Sequence, residues 1–244
     1  MISDERGNVL FLILIAIALF AALTYAVSHS GRNQNPMNRE STKLNATQIM
    51  TFGNRVKTAV DRLRISGCAE NQLDFGNTTW TRVDGTTYNI PVGHNPNAPV
   101  DGGCNIFHHN GLSEPVLTFP KASVHPSRLP DSAYMPGSGA ILTGGVSGIG
   151  IEDRPELFLE IAVLTEDTCK AINRMIGDKT EFIPEGNITN IAHFTGNFST
   201  SIPVAFGTGP TASVYGQREF CYKFTPSGWL PEGVYYFVKV LLER

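Results

Sequence analysis

Hydrophobic and polar positions follow three regimes along the chain. From Val9 to Val27 the sequence VLFLILIAIALFAALTYAV carries no charge, and Thr24 is its one clearly polar side chain. A run without alternation predicts a helix that is apolar on every side. At 1.5 Å per residue it would be roughly 28 Å long, close to the ~30 Å hydrocarbon core of a bilayer. Residues 28–40, which include Gly31 and Pro36, predict a hinge. Ser41 is then a plausible N-cap. After it Leu44, Gln48/Ile49, Phe52, Val56, Ala59/Val60 and Leu63 recur every three or four residues. This pattern predicts an amphipathic helix over 41–66, with Arg55, Lys57, Arg62 and Arg64 toward solvent and Gly67 closing it.

Beyond Cys68 the period shortens and turn residues multiply. Thr78–Val83 and Thr86–Val92 flank Asp84-Gly85, which predicts a hairpin. Residues 93–111 predict a surface loop pinned by Cys104, residues 120–139 an exposed extended segment with four prolines, and residues 137–150 a flexible Gly-rich loop. Leu157–Leu164 predicts a buried strand. Thr165 then caps a short helix whose first turn holds Glu166 and Asp167, with Cys169, Ile172 and Ile176 on one face and Gly177 at its end. Residues 216–224 and 234–242 predict an antiparallel pair joined through Pro226, Gly228, Pro231 and Gly233, with Cys221 on that sheet. The expected class is α+β: an N-terminal apolar helix, a hinge, an amphipathic helix, and an antiparallel β-rich, disulfide-bonded head over 67–244 with a short second helix.

Composition narrows the functions available. A net charge of −3 and a pI near 6.1 leave no electrostatic footprint for nucleic acid. Gly 24 and Pro 15 against 17% charged residues favour many turns over a helical bundle. The four cysteines, Cys68, Cys104, Cys169 and Cys221, contain no CxxC pair, so two disulfides are expected rather than a metal knuckle. Four thiols allow three pairings, of which Cys68–Cys104 with Cys169–Cys221 gives the two most local closures. Among the six histidines only His108 and His109 are adjacent, which in a strand would send them to opposite faces; no metal and no cofactor are expected. Asn45, Asn77, Asn187 and Asn197 each begin a glycosylation acceptor triplet.

The junction Arg6-Gly7 followed by Asn8 and the apolar run resembles the class III signal of type IV pilins and pseudopilins. The resemblance covers residues 1–68 in layout. It extends more loosely over 165–242, where LTEDTCKAINRMIG is similar to the second-helix segment of type IVb-like pilins, whose cysteine ties to the carboxy-terminal sheet. It implies a leader over 1–7, cut after Gly7 by a prepilin peptidase so that Asn8 becomes the first residue. It implies a filament-core helix over 8–27 built on Val9, Leu10, Phe11, Leu12, Ile13, Leu14 and Ile15 and continued by Ile17, Leu19, Phe20 and Leu23. It also implies partners: copies of the chain or other pilins, the inner-membrane assembly machinery, and the membrane itself before the subunit enters an extracellular filament. Leu12 stands where that family usually carries a glutamate, which points to a minor or divergent subunit.

Three other readings draw on particular residues. Ala26-Val27-Ser28 would serve as the cleavage site of an ordinary secretory signal, giving a secreted binding or adhesion protein. A plain single-pass anchor is also compatible with the apolar run. The flanking charges, with Arg32, Arg39 and Lys43 after the run, favour a cytoplasmic domain, whereas the cysteines favour export. Thr143–Gly150 fits the glycine loop of short-chain dehydrogenases, and Tyr235 with Lys239 has the spacing of that family's catalytic pair. Glu152 and Asp153, however, place acids where a pyrophosphate would sit. Tyr235 and Lys239 also fall in an expected strand, so no enzyme is expected.

Overall fold

Two glycines end the long helices of the head in the same way. In the computed structural model Gly67 (φ 100°) follows helix α2 (Pro36–Ile65) and Gly177 (φ 100°) follows helix α3 (Glu166–Met175). The Cys68 and Gly67 N–H groups donate to the carbonyls of Leu63 and Arg64, and those of Asp178 and Gly177 to Asn173 and Arg174. Both are Schellman closures, which need a residue that tolerates positive φ and satisfy carbonyls that the helix end leaves open. Thr165 caps α3 as expected, accepting from the Thr168 N–H at 3.3 Å.

The structure describes residues 6–30, 36–76, 80–81, 87–88, 95–114, 139–151, 154–178, 182–186, 192–198, 204–207, 209–225 and 234–244. Two compact units divide the chain between Ser41 and Thr42. In the first, helix α1 runs from Arg6 to Ser30. The expected hinge over 28–40 shrinks, because residues 28–30 end α1 and residues 36–40 begin α2; residues 31–35 lie outside the described set. Pro36 starts α2 rather than stopping a helix, since the first helical position needs no N–H donor. Ser41 is therefore inside the helix and is not its N-cap.

The second unit is a mixed α+β head. Its main sheet has seven strands: β3 (Gly139–Val146), β4 (Glu156–Leu164), β5 (Glu185–Gly186), β6 (Ala192–His193), β7 (Val204–Phe206), β8 (Glu219–Phe224) and β9 (Tyr235–Leu242). The order is β5-β8-β9-β4-β3-β6, with β7 beside β3. The β8–β9, β4–β9, β3–β4 and β3–β6 pairs are antiparallel, while β5–β8 and β3–β7 are parallel. The antiparallel expectation is corrected on those two pairings, which make the sheet mixed. A separate pair, β1 (Trp80–Thr81) with β2 (Thr87–Tyr88), is antiparallel with Trp80 opposite Tyr88, as the hairpin reading requires; the Asp84-Gly85 turn lies outside the described residues.

Residues 139–146, expected within a flexible loop, form an eight-residue strand, as long as β9 and shorter only than β4. Gly139 to Gly144 pair residue by residue with Ile161 to Glu156, and Ile141, Leu142 and Val146 are buried. The glycines lowered the strand signal, but burial between β4 and the β6 and β7 edges decides the conformation. The exposed extended segment expected at 120–139 lies outside the described residues up to 138. Residues 95–114 are not merely a surface loop, because Asn95, Cys104, Asn105 and Ile106 are all buried.

Side-chain alternation gives the sheet two faces. On one, α2 lays down Ala46, Ile49, Phe52, Val56, Ala59, Val60 and Leu63, all buried. Gly53 permits the close approach: a Cβ there would stand 3.1 Å from the Phe237 ring and 3.5 Å from Lys239. Leu44, expected on this face, is instead 59% exposed. On the other face the sheet curls around an aromatic layer in which Phe206 contacts Phe158, Phe220 and Tyr222, with ring centroids 5.0–5.7 Å apart. Tyr236 stacks on Tyr222 at 5.5 Å.

Candidate functional site

From Phe11 to Leu23 helix α1 presents only apolar side chains. Its described side chains run from Phe11 to Tyr25, and Phe11, Leu12, Ile13, Leu14, Ile15, Ile17, Leu19, Phe20 and Leu23 are all exposed, Phe20 by 72%. Consecutive positions 11–15 cover the whole circumference, because successive helical residues are rotated by about 100°. Thr24 turns its hydroxyl inward, 2.7 Å from the Phe20 carbonyl and 3.0 Å from that of Ala21. From Phe11 to Leu23 the helix therefore offers apolar contact in every direction. Apolar surface of this extent on a water-facing helix is costly, at about 25 cal/mol per Å².

Among the described residues no helix is long and apolar enough to cross a membrane. The membrane span expected over Val9–Val27 is thus not found among them. Arg6, Gly7 and Asn8, the expected processing residues, occupy the first turn of α1, with Val9 and Leu10 in the next.

The head is stapled twice, Cys68 to Cys104 and Cys169 to Cys221, with Cα separations of 5.9 and 5.4 Å. These are the two local closures expected from the sequence. Cys169 and Asn173 lie four residues apart on α3, hence on one face, and both engage Cys221. Cys169 takes its sulfur. The Asn173 amide takes its backbone, donating to the Cys221 carbonyl at 2.9 Å and accepting from its N–H at 2.8 Å. Asn173 so replaces a neighbouring strand where the short β5 does not reach.

The Cys68–Cys104 staple closes on a buried polar knot. Asp74 accepts from the N–H groups of Gly76 and Asn95 and from the Asn105 amide, all at 3.0 Å. Asn95 in turn donates to the carbonyls of Asn71 and Leu73. Three donors from the chain's own backbone and side chains hold the carboxylate in place, so the knot is a scaffold. His108 and His109 do not point to opposite faces, since they lie in a bend and their rings stand 4.1 Å apart. No group of three metal-ligating side chains occurs among the described residues.

Neither dehydrogenase motif adopts the geometry that its chemistry needs. Thr143 to Val146 lie in β3 and Gly148 and Gly150 in the following turn, which leads to β4 and not to a helix N-terminus. Lys239 is in β9, its ammonium 2.6 Å from Glu219. Of the glycosylation acceptors, Asn45 is buried within α2, Asn197 is exposed, and Asn77 and Asn187 lie outside the described residues.

Two features escaped the sequence. A groove of about 270 Å³ runs along the outer face of α2, lined by Thr51, Asn54, Arg55, Thr58, Arg62 and Glu114, with Arg55 paired to Glu114 at 2.9 Å. Two glutamates, Glu156 and Glu160, are buried on the inner face of β4 on either side of Phe158. The period-two pattern Glu-Leu-Phe-Leu-Glu was the available signal, but alone it reads as a solvent-facing side. Burial pushes both carboxyls up to about 7, with the Val146 N–H lowering Glu156 and the Tyr222 hydroxyl lowering Glu160 in part. Comparison with protein-family models, with characterised proteins and with solved structures returns no match.

Proposed function

We propose that this chain is a structural subunit of an extracellular, type IV pilus-like filament, assembled by packing of α1 against copies of itself or related subunits. The observation that carries this is the exposed, all-apolar circumference of α1 from Phe11 to Leu23, next to which Thr24 is bonded back to its own helix. Before assembly the helix resides in the inner membrane; afterwards helix–helix contact replaces lipid contact, and the disulfide-stapled head provides the outer surface. Processing between Gly7 and Asn8 by a prepilin peptidase frees the helix. The role is one of assembly and contact, with no catalytic step and no cofactor.

The reading is tested on protein purified from its own cells. Intact-mass analysis is expected to place the first residue at Asn8, and electron microscopy to show filaments carrying the chain. A first residue at His29 overturns the proposal in favour of a secreted binding protein. A purely monomeric membrane population retaining residues 1–7 overturns it in favour of a plain anchor.

A further inference from the structure

Glu160 is surrounded by groups that do not suit a charge. It lies on the inner face of β4 and is 7% exposed; among the described residues its side-chain hydrogen bond comes from the Tyr222 hydroxyl of β8, which reaches across β9 at 2.7 Å. We propose that Glu160 and Tyr222 form a pH-operated latch: the neutral carboxyl closes the aromatic layer beneath the strap formed by β7 and the 3-10 turn Gly209–Val214, and ionisation of Glu160 opens that strap to water. This goes beyond the assembly role of α1, since it concerns the head alone.

The groups facing Glu160 decide the sign. From β8 comes Tyr222, fully buried, and from β9 come Val238, opposite Glu160 in the pairing, and Tyr236, stacked on Tyr222. The β7 strap contributes Phe206, packed on Tyr222. On β3 the register sets Ala140 opposite Glu160 and Leu142 opposite Phe158; on β6 it sets His193 opposite Leu142. On β4 itself the nearest titratable group of the same face is Glu156. Among the described side chains of this layer there is no lysine or arginine, so an ionised Glu160 has one phenolic donor and needs water for the rest.

Burial pushes Glu160 up to about 7 and Tyr222 well above its ordinary range, so the phenol stays a donor throughout. A carboxyl whose folded value is raised holds its proton better folded than unfolded. Its stabilising effect is complete below about 4.5, the ordinary value, and is lost progressively as pH rises from there through about 7. Water enters where the structure yields most easily. Strand β4 is paired by β3 at six positions, Glu156 to Ile161, and by β9 at six, Leu157 to Ile161 and Leu164. The strap is tied to β3 by two register positions with an irregularity between them, and by the Ser147 N–H to Phe206 and Gly216 N–H to Ser147 bonds.

Hydrogen exchange read by mass spectrometry on the full chain in detergent micelles, at pH 5.5 and 8.0 and corrected for intrinsic rates, tests the latch. Protection in peptides covering 204–216 is expected to fall about thirtyfold in the wild type, since pH 5.5 lies about one and a half units below the Glu160 value, while β4 and β9 peptides change far less. Glu160→Gln, which keeps the acceptor for Tyr222 but cannot ionise, is expected to hold strap protection within about twofold across the same range. Tyr222→Phe removes the donor that lowers the Glu160 value, so the midpoint of strap opening is expected to move to higher pH. Glu156→Gln separates the second buried carboxyl and is expected to leave the strap response in place. An equal fall in Glu160→Gln, no fall in the wild type, or an unmoved midpoint in Tyr222→Phe overturns the proposal.

Discussion

Replacing Asn173 by alanine isolates the contact that joins α3 to the sheet. The amide makes two hydrogen bonds to one backbone unit, to the Cys221 carbonyl at 2.9 Å and from its N–H at 2.8 Å, and the site is sealed, with Asn173 6% and Cys221 0% exposed. Truncation leaves a buried donor and a buried acceptor without partners, each costing about 1–3 kcal/mol, so a total of about 2–6 kcal/mol is expected. Alanine's better helix propensity returns at most ~0.7 kcal/mol. The Cys169–Cys221 bond, one turn away on the same helix, keeps α3 tethered, so the loss should appear as a lower urea midpoint with an unchanged slope. Asn173→Asp keeps the acceptor for the Cys221 N–H but sets a carboxylate against the Cys221 carbonyl, and should cost at least as much at pH 7. If Asn173→Ala lies within 0.5 kcal/mol of the wild type, the amide is not substituting for a strand and the reasoning fails.

The remaining predictions concern the two staples, the polar knot, the second buried carboxyl and the apolar helix. Removing either disulfide by paired alanine substitutions should cost about 4 kcal/mol, since the loops close over 36 and 52 residues; equilibrium urea unfolding of Cys68→Ala/Cys104→Ala and Cys169→Ala/Cys221→Ala measures it. Asp74→Ala should cost at least about 3 kcal/mol, because three donors lose a buried carboxylate; proteolysis should then cut within residues 95–114 first. Glu156, raised to about 7, stabilises the fold on the acid side and loses that contribution as pH rises through neutrality. The melting temperature of Glu156→Gln should therefore fall less than the wild type's between pH 5 and 8. Ile17→Asp should abolish filament assembly while leaving the circular dichroism of the head unchanged, because Ile17 contributes only exposed apolar surface.

Legibility in the sequence followed how local each determinant was. Helix ends were readable because capping depends on a few adjacent residues: Thr165, Gly67 and Gly177 each do what their side chain, or lack of one, permits. Pro36 misled because proline has two meanings, helix breaker inside and helix starter at the first position, and only the surrounding chain decides between them. The β4, β8 and β9 strands were readable from unbroken β-prone runs. Strand β3 was not, because Gly144 and Gly145 carry no packing preference and the strand exists through its neighbours.

The candidate sites divide in the same way. The apolar character of Phe11 to Leu23 needs no tertiary context, since no arrangement of the chain alters the absence of charge there. The disulfide partners followed from locality in sequence, and the fold adds Asn173 as a second hold on Cys221. Glu160 is the opposite case. Its alternation with Leu159 and Ile161 assigns it only to the other face of a strand, and that face would be solvated in a flat, one-sided sheet. Curling of the sheet and placement of Phe206 over Tyr222 turn it inward. The sequence by itself therefore determines the helix boundaries near Gly67 and Gly177, the apolar helix and the strand-bearing head, because each rests on interactions within a few residues. Which face of β4 is dry, what α3 holds, and how near neutrality Glu160 titrates are decided by contacts across 48 and 62 residues of chain, which no local pattern encodes.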